Sequence, residues 1–420
     1  MKKLLLTALS AILFFGCAEE RNNILKVYNW ADYIDEELIG EFEQWYEEQT
    51  GEKVEIIYQT FDINETMLSK IELGHEDYDV VCPSDYIIER MLKNDLLIPI
   101  DRDFGDTPNY IDNVAPYITE KFSEVEGHGK DANDYAVGYM WGTVGLIYNP
   151  KYIVDEESGS WNVLRNPAYK GKVLMKDAFR DVYTALLVAL NKDAIDKGEQ
   201  DLKTLPFDTS EESIALVENY LTSFKDNIGG WEADFGKEQM TKELAWINLS
   251  WSGDAQWAID EAAEVGMDLR YSIPDEGSVV WFDGWVIPKY AKNIKAARYF
   301  INFMCMPENA VRNMDMTGYV SVIGGDHVLE AMSDEEEYDA LDASYFFGDE
   351  ADSVFVNPIM YPDKETILRC GMMHDSDTEA LLKMWSRVKG DNASAWTYIL
   401  ICLGFAGLIA AVVIKYTLRS

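Results

Sequence analysis

The fold is decided by residues 24–86, which read ILKVYNWADYIDEELIGEFEQWYEEQTGEKVEIIYQTFDINETMLSKIELGHEDYDVVCPSDY. Three short runs in this stretch, at 24–28, 54–58 and 79–82, are rich in the β-branched and aromatic side chains of buried strands. Amphipathic helices fit between them, because apolar residues recur there at a spacing of three or four among charged ones. The order strand–helix–strand–helix–strand predicts an α/β fold with a parallel sheet and helices on both faces.

Ligand-binding residues are expected where these strands end, because open parallel sheets bind ligands beyond the carboxyl ends of their strands. Those ends are residues 29–33 and 84–86, and both are rich in aromatic and polar side chains. At the helix starts, we expect Asn64 to cap the second helix and Ser84 or Asp85 to cap the third.

The same alternation continues along the chain. Further strands are predicted at 142–149, 172–175, 244–251 and 279–287. Further helices are predicted at 183–190, at 291–304 and from 252 onward. Taken alone, Asp283-Gly284 predicts a hairpin turn inside the last of these strands. The acid-rich residues 333–352 predict a solvated excursion.

Composition limits the function. The 420 residues carry 36 Lys and Arg against 75 Asp and Glu, a formal net charge of −39. Such a chain repels phosphate backbones and attracts cations, so we expect no nucleic-acid partner. Hydrophobic residues make up 48%, which supports full-sized cores and excludes a mostly disordered chain.

Motifs for catalysis or metal binding are missing from the sequence. The four histidines lie near no nucleophile elbow, zinc-protease or phosphate-loop pattern, and we expect them to be surface residues. The five cysteines form no metal-type cluster, so we expect no metal and no cofactor. Whether Cys82, Cys305 and Cys370 pair stays open. With 75 carboxylates, an acid pair of the glycosidase kind also stays open.

The two ends of the chain predict attachment to a membrane. Residues 1–16 have the charged start and short apolar core of a signal peptide, and Cys17 resembles the lipidated cysteine of a bacterial lipoprotein box. Residues 17–24 would then be a lipidated linker. At the other end, residues 395–414 are uncharged and long enough to cross a bilayer, whose apolar core is ~30 Å thick.

The positive-inside rule sets the expected orientation of this C-terminal span. Lys415 and Arg419 follow the span, so residues 415–420 are expected to be a cytoplasmic tail, with residues 389–394 as the linker before the span. The domain before it would face the periplasm at the inner membrane.

Aromatic residues gather at the predicted strand ends and turns. Each tryptophan by itself is more typical of a core residue than of a ligand contact. Nine short segments nevertheless occur in an order and spacing that resemble bacterial periplasmic spermidine/putrescine-binding proteins of ABC importers, and the resemblance runs from about residue 25 to 388. The segments lie at 27–33, 64–67, 78–84, 139–143, 177–182, 249–253, 281–283, 317–319 and 361–362.

The resemblance implies a two-lobed periplasmic-binding-protein fold, type II-like, whose lobes are joined by crossing strands and close over the ligand. It implies one lobe from 25–139 and about 283–327, and a second from 140–282 and about 328–388. It places an aromatic box and polar contacts on nine residues. These are Trp30, Tyr33, Ser84, Tyr86, Asp181, Trp251, Trp281, Asp283 and Tyr319.

The implied function is not enzymatic: the chain would bind putrescine and/or spermidine and deliver it to the permease and ATPase subunits of an importer. Departures from the family pattern at Ala31, Asp85, Ala178 and Met373 leave the choice between the two polyamines open. The predicted C-terminal span is also outside that pattern. The alternatives are the same fold binding another small cationic ligand, and a cell-envelope hydrolase that uses paired carboxylates.

Overall fold

The computed structural model describes residues 21–233 and 235–390, and a mixed sheet runs through this part of the chain. Its main path has the strand order β2-β1-β3-β10-β5-β8-β6-β7, while β4, β9, β11 and β12 pair with β5 or β10 beside it. The strands are β1 Ile24–Trp30, β2 Glu55–Phe61, β3 Val80–Val81, β4 Leu97–Ile98, β5 Ala136–Tyr148, β6 Val173–Lys176, β7 Ile228–Glu232, β8 Ile247–Trp251, β9 Arg270–Ser272, β10 Ser278–Pro288, β11 Val320–Ser321 and β12 Cys370–Met372.

Helices cover the sheet. They are α1 Glu37–Thr50, α2 Asn64–Glu72, α3 Asp85–Lys93, α4 Pro116–Ser123, α5 Asp155–Ser158, α6 Phe179–Leu190, α7 Lys192–Asp196, α8 Glu211–Ser223, α9 Gly236–Thr241, α10 Ser252–Glu264, α11 Ile294–Met304, α12 Pro307–Thr317, α13 Asp326–Met332, α14 Ser344–Phe347, α15 Lys364–Ile367 and α16 Thr378–Gly390.

The opening β-α-β-α-β unit is confirmed. Strand β1 pairs in parallel with β2 on one side and with β3 on the other. Helix α1 buries Leu38, Phe42 and Tyr46, the i, i+4, i+8 stripe that the sequence presents. Burying one such side chain stabilises the fold by about 1.5–3 kcal/mol, so this stripe holds the helix against the sheet.

Two long strands, β5 and β10, connect the two parts of the sheet. They pair antiparallel with each other over residues 136–143 and 280–286. Beyond this shared stretch, β5 continues to pair with β8 and β9. At its other end, β10 pairs with β3 at Val286 and then with β4 at residues 287–288. All 13 residues of β5 are buried, because the strand is covered on both faces. This explains why its sequence is almost entirely apolar or small.

The predicted hairpin turn at Asp283-Gly284 is wrong. Strand β10 runs unbroken through both residues, and the pairing register with β5 shifts between them. Such an irregularity re-aims a side chain without ending the strand. Local turn propensity failed here because long-range pairing with β5 overrides it.

Two predicted helix caps behave differently from the expectation. Asn64 is the first residue of α2, whose cap position is Ile63, so the prediction of Asn64 as the cap is wrong. Ser84 does hold the cap position of α3, but its side chain makes no capping hydrogen bond. Both side chains are instead used in the hydrogen-bond network described below.

Two further expectations need correction. The acidic segment 333–352 is not solvated throughout, because Phe346 is buried and stacks on Trp141 with ring centroids 5.5 Å apart. His374 is not a surface residue: it is buried, contacts Glu89 with Nδ1 to Oε2 3.0 Å, and stacks on Phe207 at 3.7 Å.

Cysteines and membrane spans were searched within residues 21–233 and 235–390. Cys82, Cys305 and Cys370 are buried free thiols there, so these three cysteines do not pair with one another. No helix in these ranges combines the length and the apolar character needed to cross a bilayer. The predicted signal peptide, Cys17 and the span 395–414 lie outside the described residues. Helix α16 extends to Gly390, so the first two residues of the predicted linker are helical.

Candidate ligand-binding site

Asp283 lies at the centre of the candidate site, beside the register shift in β10. Its carboxylate accepts two hydrogen bonds: Oδ1 from Ser84 Oγ at 2.7 Å and Oδ2 from the Tyr33 hydroxyl at 2.9 Å. Ser84 follows β3 and Tyr33 follows β1, so parallel strands deliver both donors to the same edge. Burial, together with the nearby charge of Asp181, raises the pKa of Asp283 to about 7, although these two hydrogen bonds lower it.

Asn64 orients two of the predicted site residues. Its amide nitrogen donates to Ser84 Oγ at 2.9 Å and to the Tyr86 hydroxyl at 3.1 Å. The Tyr86 hydroxyl in turn faces Glu65 Oε1 at 3.4 Å. Asn64 was missed as a site residue, although its position just after β2 places it at another strand's carboxyl end.

Asp181 and Trp251 form a second predicted pair. The indole Nε1 of Trp251, at the end of β8, donates to Asp181 Oδ1 at 2.8 Å. Asp181 lies in the first turn of α6, and burial raises its pKa although this hydrogen bond and the charges of Arg180 and Lys176 lower it.

Asp85 is a third acid that sequence reasoning did not place in the site. It is 1% exposed and accepts hydrogen bonds from the backbone N–H groups of Tyr86 at 2.7 Å and Phe282 at 3.2 Å. Burial raises its pKa well above the ordinary range, and the charges of Asp283 and Asp181 add to this. The charge of Asp181 thus raises the pKa of both Asp85 and Asp283, and carboxylates whose charges oppose one another in this way favour a nearby cation.

Aromatic rings pack around Tyr33, which donates a hydrogen bond to Asp283. Tyr319 packs edge-to-face against Tyr33 at 5.3 Å and against Trp281 at 5.6 Å, measured between ring centroids. A glycine makes room for each larger ring: a Cβ on Gly253 would lie 2.4 Å from the Tyr319 ring, and one on Gly142 would lie 2.6 Å from the Trp281 ring. Substitution at either glycine would therefore displace a wall of the site.

The nine predicted site residues fall into groups. The first group is joined by ring contacts and hydrogen bonds, with Asn64 as the link to Tyr86. Its members are Tyr33, Ser84, Tyr86, Trp281, Asp283 and Tyr319. Asp181 and Trp251 form the second group. Trp30 lies at the end of β1 and packs on Phe61 at 4.5 Å, and the structure leaves its role in binding as a prediction.

Charged residues that the sequence did not single out adjoin both groups. Arg180 stands over the Tyr86 ring at 4.4 Å. Lys176 stands over the Trp251 ring at 4.3 Å and pairs with Asp254 at 2.5 Å. The Tyr319 hydroxyl donates to the same Asp254 at 2.9 Å. Local patterns could not find this cluster, because Asp254 is equally typical of a residue that starts a helix.

Comparison with protein families decides the class. The family described as bacterial extracellular solute-binding protein matches residues 41–325, more than half of the chain. The chain belongs to this family. As a solute-binding protein it is a transport component rather than an enzyme, which confirms the non-enzymatic function that the resemblance implies and rejects the hydrolase alternative.

Individual relatives of this solute-binding protein carry names of polyamine-binding periplasmic proteins. It is 28% identical to the spermidine/putrescine-binding periplasmic protein of Escherichia coli K12, covering 71% of this chain and 77% of that one. It is 27% identical to the putrescine-binding periplasmic protein PotF of the same organism, covering 91% and 95%.

A solved structure of a putative spermidine/putrescine ABC transporter from Listeria monocytogenes is 30% identical, with a TM-score of 0.65 over 87% of this chain and 99% of that one. The spermidine/putrescine substrate-binding protein PotD of Streptococcus pneumoniae gives the same identity and TM-score over 87% and 98%. The mixed α/β periplasmic-binding-protein fold of this solute-binding protein is therefore confirmed.

Proposed function

We propose that this chain is the substrate-binding component of an ABC importer for polyamines. It captures putrescine and/or spermidine in an aromatic, acidic cleft between two lobes and delivers it to the permease and ATPase subunits. The observation that carries the proposal is that carboxylates meet aromatic side chains: Asp283 accepts from Tyr33 and Ser84, and Asp181 accepts from the indole of Trp251.

The chemistry of a polyamine matches this site. A polyamine alternates methylene segments with ammonium groups, and indole or phenol faces pack against the methylenes while attracting the cations. Carboxylates bind the ammoniums through charge-assisted hydrogen bonds. The printed names of the relatives support the same ligand class.

Two lobes that close on the ligand provide the required burial. We propose lobe 1 as residues 25–139 with about 283–327, and lobe 2 as residues 140–282 with about 328–388, joined by β5 and β10. Closure of a cleft desolvates ligand and acids together, which avoids a permanently buried unpaired charge. The contact of Arg180 in α6 with Tyr86 in α3 would lie across such a cleft.

Location and attachment complete the proposal. The protein would work on the periplasmic face of the inner membrane, with a lipid on Cys17 and a span at 395–414. Tethering would raise the concentration of the loaded receptor at its permease. Deleting residues 391–420 should leave the protein membrane-bound, whereas adding Cys17→Ser should release it.

Thermal unfolding of the full chain in detergent tests the ligand class. A ligand at 100 times its Kd stabilises by about 2.7 kcal/mol, which for a chain of this size corresponds to a shift of about 3 °C. We expect that shift with putrescine or spermidine and none with 1-aminobutane, the matched monoamine. Stabilisation by glucose or glutamate but by neither polyamine would contradict the proposal.

A further inference from the structure

Lys176 is a buried cation built into the wall of the candidate site. It is the last residue of β6, at the strand's carboxyl end, and it is 1% exposed. Its Nζ lies 2.5 Å from Asp254 Oδ2, 3.4 Å from Glu232 Oε1 and 4.3 Å from the Trp251 ring centroid. A lysine is seldom buried unless it is paired, so this ammonium has a specific environment.

That environment has the composition of a polyamine subsite. An ammonium there meets an indole face and two carboxylates, the groups that bind alkylammonium ligands. The carboxylates are held by other groups as well: Asp254 accepts from the Tyr319 hydroxyl at 2.9 Å, and Glu232 accepts from Asn248 Nδ2 at 3.0 Å. The protein's own ammonium therefore sits where a ligand ammonium could bind.

The lysine subsite adjoins the ligand site through shared residues. The ring of Trp251 contacts Lys176, and its Nε1 donates a hydrogen bond to Asp181. The hydroxyl of Tyr319 donates to Asp254, and its ring packs against Tyr33 and Trp281. A ligand that reached from Asp283 to Asp181 would therefore end beside Trp251, whose ring Lys176 contacts, and the charge of Lys176 would repel any further ammonium at that end.

We propose that Lys176 occupies an ammonium subsite and thereby limits the cleft to a diamine. This inference rests on the proposed function, because it concerns the choice among polyamines at the same site. A four-carbon diamine places its two ammoniums at Asp283 and Asp181. A triamine has a third ammonium that must either displace Lys176 from Asp254 or remain beside a fixed positive charge with little water.

Calorimetric titration of the full chain in detergent with putrescine and with spermidine tests this. We expect the wild-type protein to bind putrescine at least about tenfold more tightly than spermidine, because two like charges in a cleft repel strongly. Lys176→Met should narrow that ratio by about tenfold or more, since Asp254 becomes available to a third ammonium.

Lys172→Met is the matched control. Lys172 also stands over an indole, that of Trp246 at 5.2 Å, but it precedes β6 at the opposite end of the strand. This variant should keep the wild-type ratio of affinities. A ratio that changes equally in both variants would overturn the proposal, because a general loss of positive charge would then explain it.

The wild-type titration alone keeps the proposal testable if Lys176→Met does not fold. Spermidine binding as tightly as putrescine to the wild-type protein would overturn the role of Lys176 while leaving polyamine binding intact. An unchanged ratio in folded Lys176→Met would overturn it as well. Absence of binding by both polyamines would overturn the proposed function itself.

Discussion

Asp283 and Asp254 are two buried carboxylates that each accept a hydrogen bond from a tyrosine hydroxyl at 2.9 Å, yet their pKa values shift in opposite directions. Burial raises the pKa of Asp283 to about 7. Burial acts in the same direction on Asp254, but the charges of Lys176 and Lys237 outweigh it and lower the pKa. The two carboxylates differ in their neighbouring charges, because Asp254 has a lysine ammonium of the same chain, that of Lys176, beside it.

Hydrogen bonds alone therefore do not compensate a buried carboxylate. Ser84 and Tyr33 both donate to Asp283, but neutral donors reduce rather than remove the cost of desolvating its charge. An external ammonium would do for Asp283 what Lys176 does for Asp254. On this account, one carboxylate serves folding and the other serves binding, and each prediction below tests that division.

The largest expected effect is the loss of ligand affinity in Asp283→Asn. Removing one partner of a desolvated charge pair costs about 2–5 kcal/mol, or roughly 30- to 5,000-fold in Kd for putrescine. Calorimetry at about pH 8, where both carboxylates are ionised, measures it, with Asp260→Asn as the control, because Asp260 is an exposed acid on α10. Wild-type affinity in Asp283→Asn would contradict the role of this carboxylate.

The same variant should not lose stability at alkaline pH. A raised native pKa means that the contribution of Asp283 to stability is fully present below pH about 4 and is lost as pH rises through about 7. Asn cannot ionise, so thermal unfolding of Asp283→Asn at pH 8 is expected at or above the wild-type temperature.

Asp254→Asn should show the opposite pattern. Among the residues that the structure describes, it leaves Lys176 buried with Glu232, at 3.4 Å, as its remaining carboxylate partner. Breaking a buried ion pair costs about 3–5 kcal/mol. Because Glu232 still pairs with Lys176, we expect the free energy of unfolding to fall by about 3 kcal/mol, the low end of that range. Urea denaturation measures it. If Asp254→Asn were as stable as the wild type, the pair with Lys176 would not matter for folding.

Truncating the aromatic walls should reduce the affinity for putrescine by less than removing the charge of Asp283 does. Trp281→Ala and Trp251→Ala each lose contact area and cation–π attraction without stranding a ligand ammonium, so we expect about 1–3 kcal/mol in affinity. Trp246→Ala, which removes an indole outside the site, should leave the Kd for putrescine near the wild-type value. A larger loss of affinity in Trp281→Ala than in Asp283→Asn would show that the aromatic wall contributes more to binding than the carboxylate.

Ligand affinity should also depend on pH. Below pH about 7, an ammonium must displace the proton of Asp283, so affinity should fall by up to about tenfold for each unit of pH. Titrations with putrescine between pH 5.5 and 8 measure the slope. In Asp283→Asn the slope should be shallower, and equal slopes in both proteins would assign the pH dependence to other groups.

Much of the fold could be predicted because its signals are local. Helix α1 follows from the spacing of Leu38, Phe42 and Tyr46, and β1 to β3 follow from short apolar runs. The continuity of β10 could not be predicted from Asp283-Gly284, because it depends on pairing with β5, more than a hundred residues earlier.

Candidate site residues could be predicted only where they belong to the segments that resemble the family. Ser84 and Asp283 are 199 positions apart, so no local pattern joins them, and their placement came from the family motifs. Lys176 and Asp254 are 78 positions apart and belong to no motif that was recognised, so their ion pair was missed. Asn64 was mistaken for a helix cap, because a polar residue at a helix start satisfies that pattern equally well.

The most direct test of the difference between the two carboxylates is the pKa of Asp283 itself. In the full chain labelled with 13C-aspartate, the carboxyl resonance that disappears in Asp283→Asn can be followed with pH, with and without saturating putrescine. We predict a midpoint near pH 7 without ligand and a fall of at least about one unit with it, because a bound ammonium favours the carboxylate. A midpoint that stays the same when putrescine binds would show that no ammonium approaches Asp283 and would contradict the account.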